Sequence, residues 1–417
     1  MPADPTDVTA ERSGGAPVPG PRATVVTLMV VTAGLSLANG AVFALLADFQ
    51  DRYGFATWGL GLIAGSAFFS GLVANLALAR HADRGRARAL LVGGLVVGVL
   101  GNLWMGVATE LWQFTGARLL LGLGFGAFVP AARKVAIHAV PHHAGRVLGQ
   151  LASAVVGGFT LGPPFAAAVD ALIGPRAPFL AIAAVVAVAV PVVARIPSPP
   201  RQAPPDPRVL RHLARLPGVQ SAVAIGAALY LSIGIFDAIW ARYLTDLGAS
   251  TLFIGMSLLA FGAPMAVFAP LGGRLADRHG GRRVALFAVS ASLPLMALYG
   301  VIGSIVVLTA ISALHALCDG TSTPGAQLAV ADASPAARAA SAQGLFEAVG
   351  FGVAGIAALA SASIYAAFGP TWLFGGSAAV MAALLLVARW RGAVSDRLGD
   401  AAVVAAPTIH PGRAVAS

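Results

Sequence analysis

Five ionisable side chains stand inside long apolar stretches of the sequence, namely Arg118, Asp237, His315, Asp319 and Glu347. Charged groups in such surroundings are costly, and they usually mark ion or proton pathways. A carboxylate kept from water favours its neutral form, so it binds a proton in one exposure state and releases it in another. Histidine changes charge near neutral pH without any such help. We therefore expect these residues to move protons or to bind a charged substrate.

Spacing and depth sharpen the interpretation for three of the five. His315 and Asp319 are four residues apart in the sequence, so a helix places them on one face. Glu347 lies roughly 12–15 Å into its helix, near the middle of the membrane. Nothing close to Glu347 in the sequence can pair with it, which makes it a candidate proton carrier.

Each of these residues also has a plainer explanation. Asp237 falls near the end of its apolar run, where water reaches it and Arg242 can pair with it. His315 can be a hydrogen-bonded packing residue, and Asp319, which precedes the sequence GTSTPG, can cap a break in its helix. Arg118 can simply neutralise a buried acid. The sequence leaves these alternatives open.

The composition is that of an integral membrane protein. Of 417 residues, 58% are hydrophobic and 11% are charged, and the mean hydropathy is +0.82. A soluble domain carries about 25% charged residues. A spanning helix needs roughly 20 apolar residues, and twelve such runs occur, at about 23–47, 57–79, 89–108, 111–132, 147–169, 177–194, 218–241, 252–272, 284–302, 304–328, 339–366 and 371–390.

Positive charge is distributed unevenly over the two sides of these spans. With the N-terminus in the cytoplasm, 23 of the 27 lysines and arginines lie on the cytoplasmic side, in agreement with the positive-inside rule. Both termini and the central linker are therefore predicted to be cytoplasmic. The net charge of +10 then reflects orientation in a bilayer. Nucleic acid is not expected as a partner, because no basic cluster is interleaved with aromatic residues.

The chain divides into five segments by composition. These are a disordered cytoplasmic tail at 1–22, a six-helix half at 23–194, a cytoplasmic linker at 195–217, a second six-helix half at 218–391 and a cytoplasmic tail at 392–417. The first tail is polar and rich in proline and glycine. The linker is rich in proline and arginine, with room for a short interfacial helix. The single cysteine, Cys318, excludes an intrachain disulfide.

The sequence repeats itself at an offset of 194 residues. The offset superimposes Arg80, Ala82, Asp83, Arg84 and Arg88 on Arg274, Ala276, Asp277, Arg278 and Arg282; Gly54, Thr57 and Gly61 on Gly248, Thr251 and Gly255; and Pro130 and Pro141 on Pro324 and Pro335. Six spans return the chain to its starting side, so the halves are parallel, and such repeats place a substrate site at their interface. The predicted fold is all-α and integral to the membrane, with twelve transmembrane helices in two parallel six-helix halves around a central cavity.

Three stretches resemble motifs of the major facilitator superfamily. Residues 273–283 resemble the signature loop between the second and third helices of a half, through Gly273, Asp277, Arg278, Gly280, Arg282 and Arg283, and the first copy keeps Asp83, Arg84 and Arg88. The stretch ARLLLGLGFGAF at 117–128 resembles the fourth-helix motif of proton-coupled members. The stretch GGFTLGPPFAAA at 157–168 resembles the fifth-helix motif of antiporters, with alanines in place of its last glycines. The resemblance covers about 23–391 and implies a twelve-helix drug:proton antiporter.

The signature loop is suited to act as a conformational latch. Asp277 can face the N-terminus of an adjacent helix, whose dipole favours an anion. The arginines of the loop can pair with acids or with lipid phosphate. Orientation alone would also place arginines here, although orientation requires no acid.

Small residues recur at helical spacing in two spans. Gly122 and Gly126 are four apart, as are Gly158 and Gly162, and this spacing lets helix backbones approach closely. Pro163 removes a backbone donor and favours a bend. These residues serve either as hinges for rocking or as packing contacts, and the sequence does not separate the two.

The resemblance implies a secondary transporter that exports small apolar or amphipathic compounds by proton antiport, with protons as the coupling ion and no cofactor or metal. The alternatives are a proton-coupled uptake symporter for a sugar or other metabolite, and a non-transporting membrane sensor or assembly protein. The single lysine, Lys134, lacks a phosphate-binding loop, which argues against ATP, and no nucleophile–base arrangement indicates an enzyme. We expect a monomer in the inner (plasma) membrane, with the lipid bilayer and a small-molecule substrate as partners.

Overall fold

The computed structural model describes residues 20–81, 85–200, 207–335 and 338–405, and these residues form helices joined by short turns. The helices are α1 Pro21–Tyr53, α2 Trp58–His81, α3 Ala87–Val107, α4 Leu111–Ala139, α5 Ala144–Ile173, α6 Ala177–Val188, α7 Val190–Val193, α8 Pro207–Leu213, α9 Pro217–Asp246, α10 Thr251–His279, α11 Gly281–Leu298, α12 Ile305–Asp332 and α13 Ala339–Ala405.

The described residues supply twelve candidate crossings of the membrane, as predicted. Ten helices of the described residues are long and apolar enough to span a bilayer, and the shorter apolar stretch Ala177–Val193, formed by α6 and α7, supplies an eleventh crossing. The twelfth comes from α13, which contains two spans. Gly369 interrupts that helix with a φ of 78° and a ψ of −177°, and Pro370 follows it directly.

Several helices continue beyond the apolar runs that predicted them. The stretch 273–283 was expected to be a loop, but α10 continues to His279 and α11 begins at Gly281, so Gly280 alone lies between them. The tail predicted at 392–417 is likewise helical as far as Ala405, and 406–417 lie outside the described residues. Apolar runs mark the edge of the bilayer, whereas helical hydrogen bonding continues into water wherever charged helix formers allow it.

The two halves of the bundle pack in the same way. In the first half α1 packs on α5, and α4 packs on both α2 and α3; in the second half α9 packs on α13, and α12 packs on both α10 and α11. Across the halves, α2 packs along α13 and α5 along α10. The repeat is also visible in the turns, since Gly54 and Gly248, related by the offset, have φ of 69° and 87°.

The bundle has two ends and an apolar outer surface. We call the end that carries the segment 195–216 the linker face, and the opposite end, with the turns at 54–57 and 247–250, the far face. The linker contains the predicted short helix as α8, while 201–206 lie outside the described residues. Large apolar side chains such as Phe287 and Trp372 are 78% and 72% exposed, and such a surface is suited to contact with lipid chains.

The glycines singled out in α4 and α5 lie where two helices touch. A Cβ atom built on Gly126 would come within 2.8 Å of the Gly71 carbonyl oxygen of α2, and one built on Gly162 would come within 2.6 Å of the Leu37 carbonyl oxygen of α1. Gly122 and Gly158 are equally crowded by α2 and α1. Pro163 lies inside α5, which remains continuous. The predicted close packing is present in this conformation, and the hinge role stays a prediction.

Substituting Gly162 by alanine is expected to destabilise the first half by about 1–3 kcal/mol, because the added methyl group meets backbone that cannot move aside. The matched control is Gly157→Ala in the same helix, where nothing lies within 4 Å of the new atom. Unfolding of both variants in detergent micelles checks the expectation. Equal stability of the two variants would contradict it.

Candidate functional site

Arg118 lies at the centre of a polar cluster that joins the two halves. Its side chain, on α4, is only 2% exposed. One terminal nitrogen donates to the Asn39 carbonyl oxygen at 3.1 Å and to Asn39 Oδ1 at 3.2 Å, both on α1. The other donates to Asp237 Oδ2 on α9 at 3.1 Å and to Oδ1 at 3.3 Å. The guanidinium also lies 5.1 Å from the ring centre of Phe43.

Asp237 is therefore a buried interhelical acid, and the expectation that water reaches it and Arg242 pairs with it is wrong. Its side chain is 2% exposed. The apolar run predicted a span ending at residue 241, but α9 continues to Asp246. Asp237 thus lies more than two turns inside the helix, at the depth of Arg118 of the other half. Of the alternatives for Arg118, neutralisation of a buried acid is confirmed.

No pattern in the sequence predicts this ion pair. The partners are 119 residues apart, and the repeat does not contain a second copy, because the offset places Ser312 opposite Arg118 and Phe43 opposite Asp237. Asn39 and Phe43, which complete the surroundings of Arg118, were missed for the same reason. The only hint in the sequence is Arg118 itself. An arginine buried in a span requires a buried acid as its partner, although the sequence does not say which acid.

Glu347 has no partner close in the sequence, as expected, but it does have one in the other half. Arg133 Nη1 lies 3.3 Å from Glu347 Oε1, and the pair links α4 to α13. The apolar run that ends at 132 predicts a loop at Arg133, whereas α4 continues to Ala139. Both side chains are partly exposed, so this pair is weaker and more accessible than the pair of Arg118.

His315 and Asp319 share one face of α12, as their spacing predicts. His315 Nε2 lies 3.7 Å from Asp319 Oδ1, and His315 Nδ1 lies 3.3 Å from the Tyr299 hydroxyl. The His315 ring lies 5.8 Å from that of Phe236 and 6.3 Å from that of Phe261. Asp319 lies inside a continuous helix, so the alternative that it caps a break is not supported.

A second network of charges closes the far face. Arg242 of α9 binds Asp51 of α1 and Asp246 of its own helix. The Tyr365 hydroxyl of α13 donates to the other oxygen of Asp246 at 2.6 Å. We call these four residues the far-face network. It ties the first half to the second at this end of the bundle, which in alternating access must open.

Replacement of Arg242 by glutamine is expected to favour opening of the far face by about 1 kcal/mol, roughly a fivefold change in the ratio of open to closed molecules. Spin labels are attached at Ala56→Cys and Ser250→Cys in a protein that also carries Cys318→Ala. In the Arg242→Gln variant, a larger share of the distances between the two labels should be long. Arg52→Gln is the matched control, since Arg52 pairs with Asp48 in its own helix. An unchanged distance distribution in the Arg242 variant would contradict the assignment.

The signature segment is only partly engaged in this conformation. Asp277 is exposed and has no hydrogen bond or ion pair within the described residues, so the expected contact with a helix N-terminus is not made here. Arg282 instead binds Asp396 and donates to the Gly392 carbonyl oxygen at 3.1 Å, both on α13. Arg278 and Arg283 are exposed, and Gly273 and Gly280 lie in and just after α10. Of the first copy, the exposed Arg88 is described, while Asp83 and Arg84 lie outside the described residues.

Curated relatives match part of the chain at low identity. The mouse (Mus musculus) protein "MFS-type transporter SLC18B1" is 23% identical over 265 residues, which cover 60% of this chain and 58% of that protein. "Multidrug resistance protein MdtG" of Klebsiella pneumoniae (strain 342) is 28% identical over 62% of this chain and 67% of its own length. MdtG of Dickeya zeae (strain Ech586) is 32% identical over 39% of this chain and 41% of its own length. The chain thus spans about half the length of the first and third of these relatives.

Solved structures share the fold over nearly the whole chain. A bacterial homologue of the human lysosomal transporter Spinster, solved in an inward-facing and unoccupied conformation, superimposes with a TM-score of 0.70 and 15% identity, covering 91% of this chain and 96% of that one. The nucleoside transporter NupG gives a TM-score of 0.72 at 14% identity, covering 88% and 98%. The family model described as Major Facilitator Superfamily matches residues 26–229 and 222–402. With both of its six-helix halves matched, the chain belongs to the Major Facilitator Superfamily, and its apolar helices are those of a multi-pass membrane protein.

Proposed function

We propose that this transporter exports small apolar or amphipathic compounds, drug-like or metabolic, in exchange for protons. The similarity to the proteins named multidrug resistance protein MdtG supports export. The proposal includes an inner (plasma) membrane location with both termini in the cytoplasm, as the distribution of lysine and arginine indicates.

The proposal rests on the buried ion pair of Arg118 and Asp237. It is a titratable contact between the two halves, and the halves must move relative to each other for alternating access. Protonation of Asp237 removes one of the two charges, so the attraction to Arg118 falls and the two halves are released from one another. Loss of the proton restores the attraction. The occupancy of one carboxylate by a proton is thereby linked to the relative position of the halves.

The cycle follows from this linkage. Substrate enters between the halves from the cytoplasm while the far-face network is closed. A proton arriving from the other side, once the far face opens, neutralises Asp237 and frees it from Arg118, so that the halves can move relative to each other. Release of the proton to the cytoplasm completes the exchange. The paired Arg133 and Glu347 lie between the halves nearer the linker face, where opening to the cytoplasm requires that their contact break.

Proteoliposomes that contain the pH dye pyranine and carry an imposed pH gradient test the proposal. In liposomes with the wild type, addition of lipophilic cations or amphipathic antibiotics should drive protons across the membrane. In liposomes with Asp237→Asn, the same compounds should move no protons. The control is Asp332→Asn, an exposed carboxylate at the end of α12, which should behave as the wild type. The export proposal would be wrong if only nucleosides, sugars or organic acids moved protons, and if the protons moved in the same direction as the substrate. That result would indicate uptake by symport.

A further inference from the structure

The turn that follows α11 is held by side chains of two other helices of the second half. The Tyr243 hydroxyl of α9 lies 2.7 Å from the Tyr299 carbonyl oxygen and 2.9 Å from that of Ile302, and it donates its proton to this pair. The Thr371 hydroxyl of α13 donates to the Gly300 carbonyl oxygen at 2.6 Å. We call Tyr243 and Thr371 the turn clasp. It joins the ends of α9, α11 and α13 at the far face.

Burial makes the clasp costly to break. Tyr243 and Tyr299 are 3% and 0% exposed, so water does not compete for the hydrogen bond between them. A carbonyl group at a helix end that loses its donor in such a place stays unpaired, which is unfavourable. The turn also lies directly against α13, because a Cβ atom built on Gly300 would come within 2.8 Å of Thr371 Cα. The turn therefore follows α9 and α13 wherever they move.

The first half has the same shape at this place without the clasp. The offset of 194 residues puts Phe49 and Ala177 opposite the two clasp residues, and neither has a hydroxyl group. The close approach of the turn is kept. A Cβ atom built on Gly106, the counterpart of Gly300, would lie 3.4 Å from the Arg176 carbonyl oxygen at the start of α6. The repeat thus preserves the contact between turn and helix, and the hydrogen bonds belong to the second half.

Apolar packing takes the place of the clasp in the first half. The ring centre of Phe49 lies 4.9 Å from that of Phe114 and 5.9 Å from that of Phe179. Within the described residues, the carbonyl oxygens of Met105 and Ala108 in the turn after α3 accept from no side chain. Apolar contacts are non-directional, whereas a hydrogen bond fixes distance and angle. Packed helices can slide by small shear movements where no such bond holds them.

We propose that the turn clasp makes the far-face ends of α9, α11 and α13 move as one body, and that the corresponding ends of α1, α3 and α6 shift relative to one another when the far face opens. The far face has to open in alternating access. Arg242, next to Tyr243, carries the ion pair with Asp51 that joins the halves there. The clasp thus gives this pair a fixed support on the second half, and the first half supplies the adjustment. These movements are the same for export and for uptake, so they go beyond the proposed function.

Distances between spin labels within each half test the proposal. One pair of labels is Ala56→Cys with Thr109→Cys, and the other is its counterpart at the offset, Ser250→Cys with Gly303→Cys. All four positions are exposed, and Cys318→Ala removes the native cysteine. In the otherwise unchanged protein, the first-half pair should give a wide distance distribution or two components. The second-half pair should give a single narrow one.

The variant Tyr243→Phe, Thr371→Val removes both hydroxyls and nearly keeps the shapes of the side chains. The second-half distribution should become as wide as that of the first half. The first-half distribution should stay unchanged, which separates loss of the clasp from a general loosening of the protein. Tyr53→Phe is the matched control, because it removes a hydroxyl at the far-face end of α1 that has no hydrogen bond within the described residues. It should leave both distributions as they were.

Three results would overturn the proposal. They are equal widths of the two distributions before any hydroxyl is removed, a second-half distribution that stays narrow in the double variant, and a widening of both distributions together. The last result would mean that the hydroxyls contribute only to overall stability. None of these measurements uses proton or substrate flux, so failure here would leave the export proposal standing, and failure of export would leave the clasp standing.

Discussion

Replacement of Arg118 by glutamine should lower the free energy of unfolding by about 3–5 kcal/mol and abolish coupled transport. Removal of one partner from a buried ion pair leaves the other charge without compensation in a low-dielectric interior. Here the remaining charge would be Asp237, which has only Arg118 as its ion-pair partner in the described structure. Asp237→Asn should also lower the free energy of unfolding, because it leaves the buried guanidinium of Arg118 without a compensating negative charge.

The double variant Arg118→Gln, Asp237→Asn separates folding from function. Neither charge remains, so most of the lost stability should return, and the two single effects should not add. Transport should stay absent, because the titratable tie between the halves is gone. Chemical unfolding in detergent micelles and the pyranine assay give the two readouts. Arg52→Gln, which disrupts an exposed pair within one helix, should change stability by about 1 kcal/mol or less. Additive losses in the double variant would contradict the pairing.

Gly369→Ala should lower stability by about 1–3 kcal/mol, because φ of 78° with ψ of −177° is a conformation that only glycine adopts readily. The turn at Gly369 divides α13 into its two spans. A residue with a Cβ atom favours a straight helix there, which would compete with the return of the chain across the membrane. The expected consequence is a lower thermal midpoint and a smaller folded yield.

Gly376→Ala is the matched control for Gly369→Ala. Gly376 lies in the second part of the same helix, has helical backbone angles, and has nothing within 4 Å of an added Cβ. It should be neutral or slightly stabilising, since alanine is the better helix former. Size-exclusion profiles and thermal unfolding of the two variants decide the matter. A stable, well-folded Gly369→Ala protein would show that the turn tolerates a side chain.

The sequence was sufficient for the fold because the relevant signals are local. Apolar runs, the bias of arginine and the offset of 194 residues each predict a part of the twelve-helix arrangement. The proximity of His315 and Asp319 could also be predicted, since one helix carries both residues. The Gly54 and Gly248 turns follow the repeat for the same reason. Where an interaction lies within one helix or one turn, spacing alone is informative.

The sequence predicted the candidate site less well than the fold, because the contacts of the site join residues of different halves. The partners of Asp237 and Glu347 are remote in sequence, and Arg133 was hidden in a segment that hydropathy assigns to a loop. Helix ends matter here, because α4 continues past its apolar run and so brings Arg133 into the packed region, while the continuation of α9 to Asp246 places Asp237 deeper in its helix than the run predicts. The sequence indicated which ionisable residues lie inside the spans, but it could not pair those whose partners lie in the other half.

The buried Arg118–Asp237 pair also bears on the symmetry of the chain. The offset places serine and phenylalanine at the corresponding positions of the other copy, so neither half contains both members of the pair or their mirror image. A homodimer assembled from two copies of one half would lack this contact, whichever half was used. The contact therefore depends on the differences between the two halves, which an assembly of two copies of either present half would not supply.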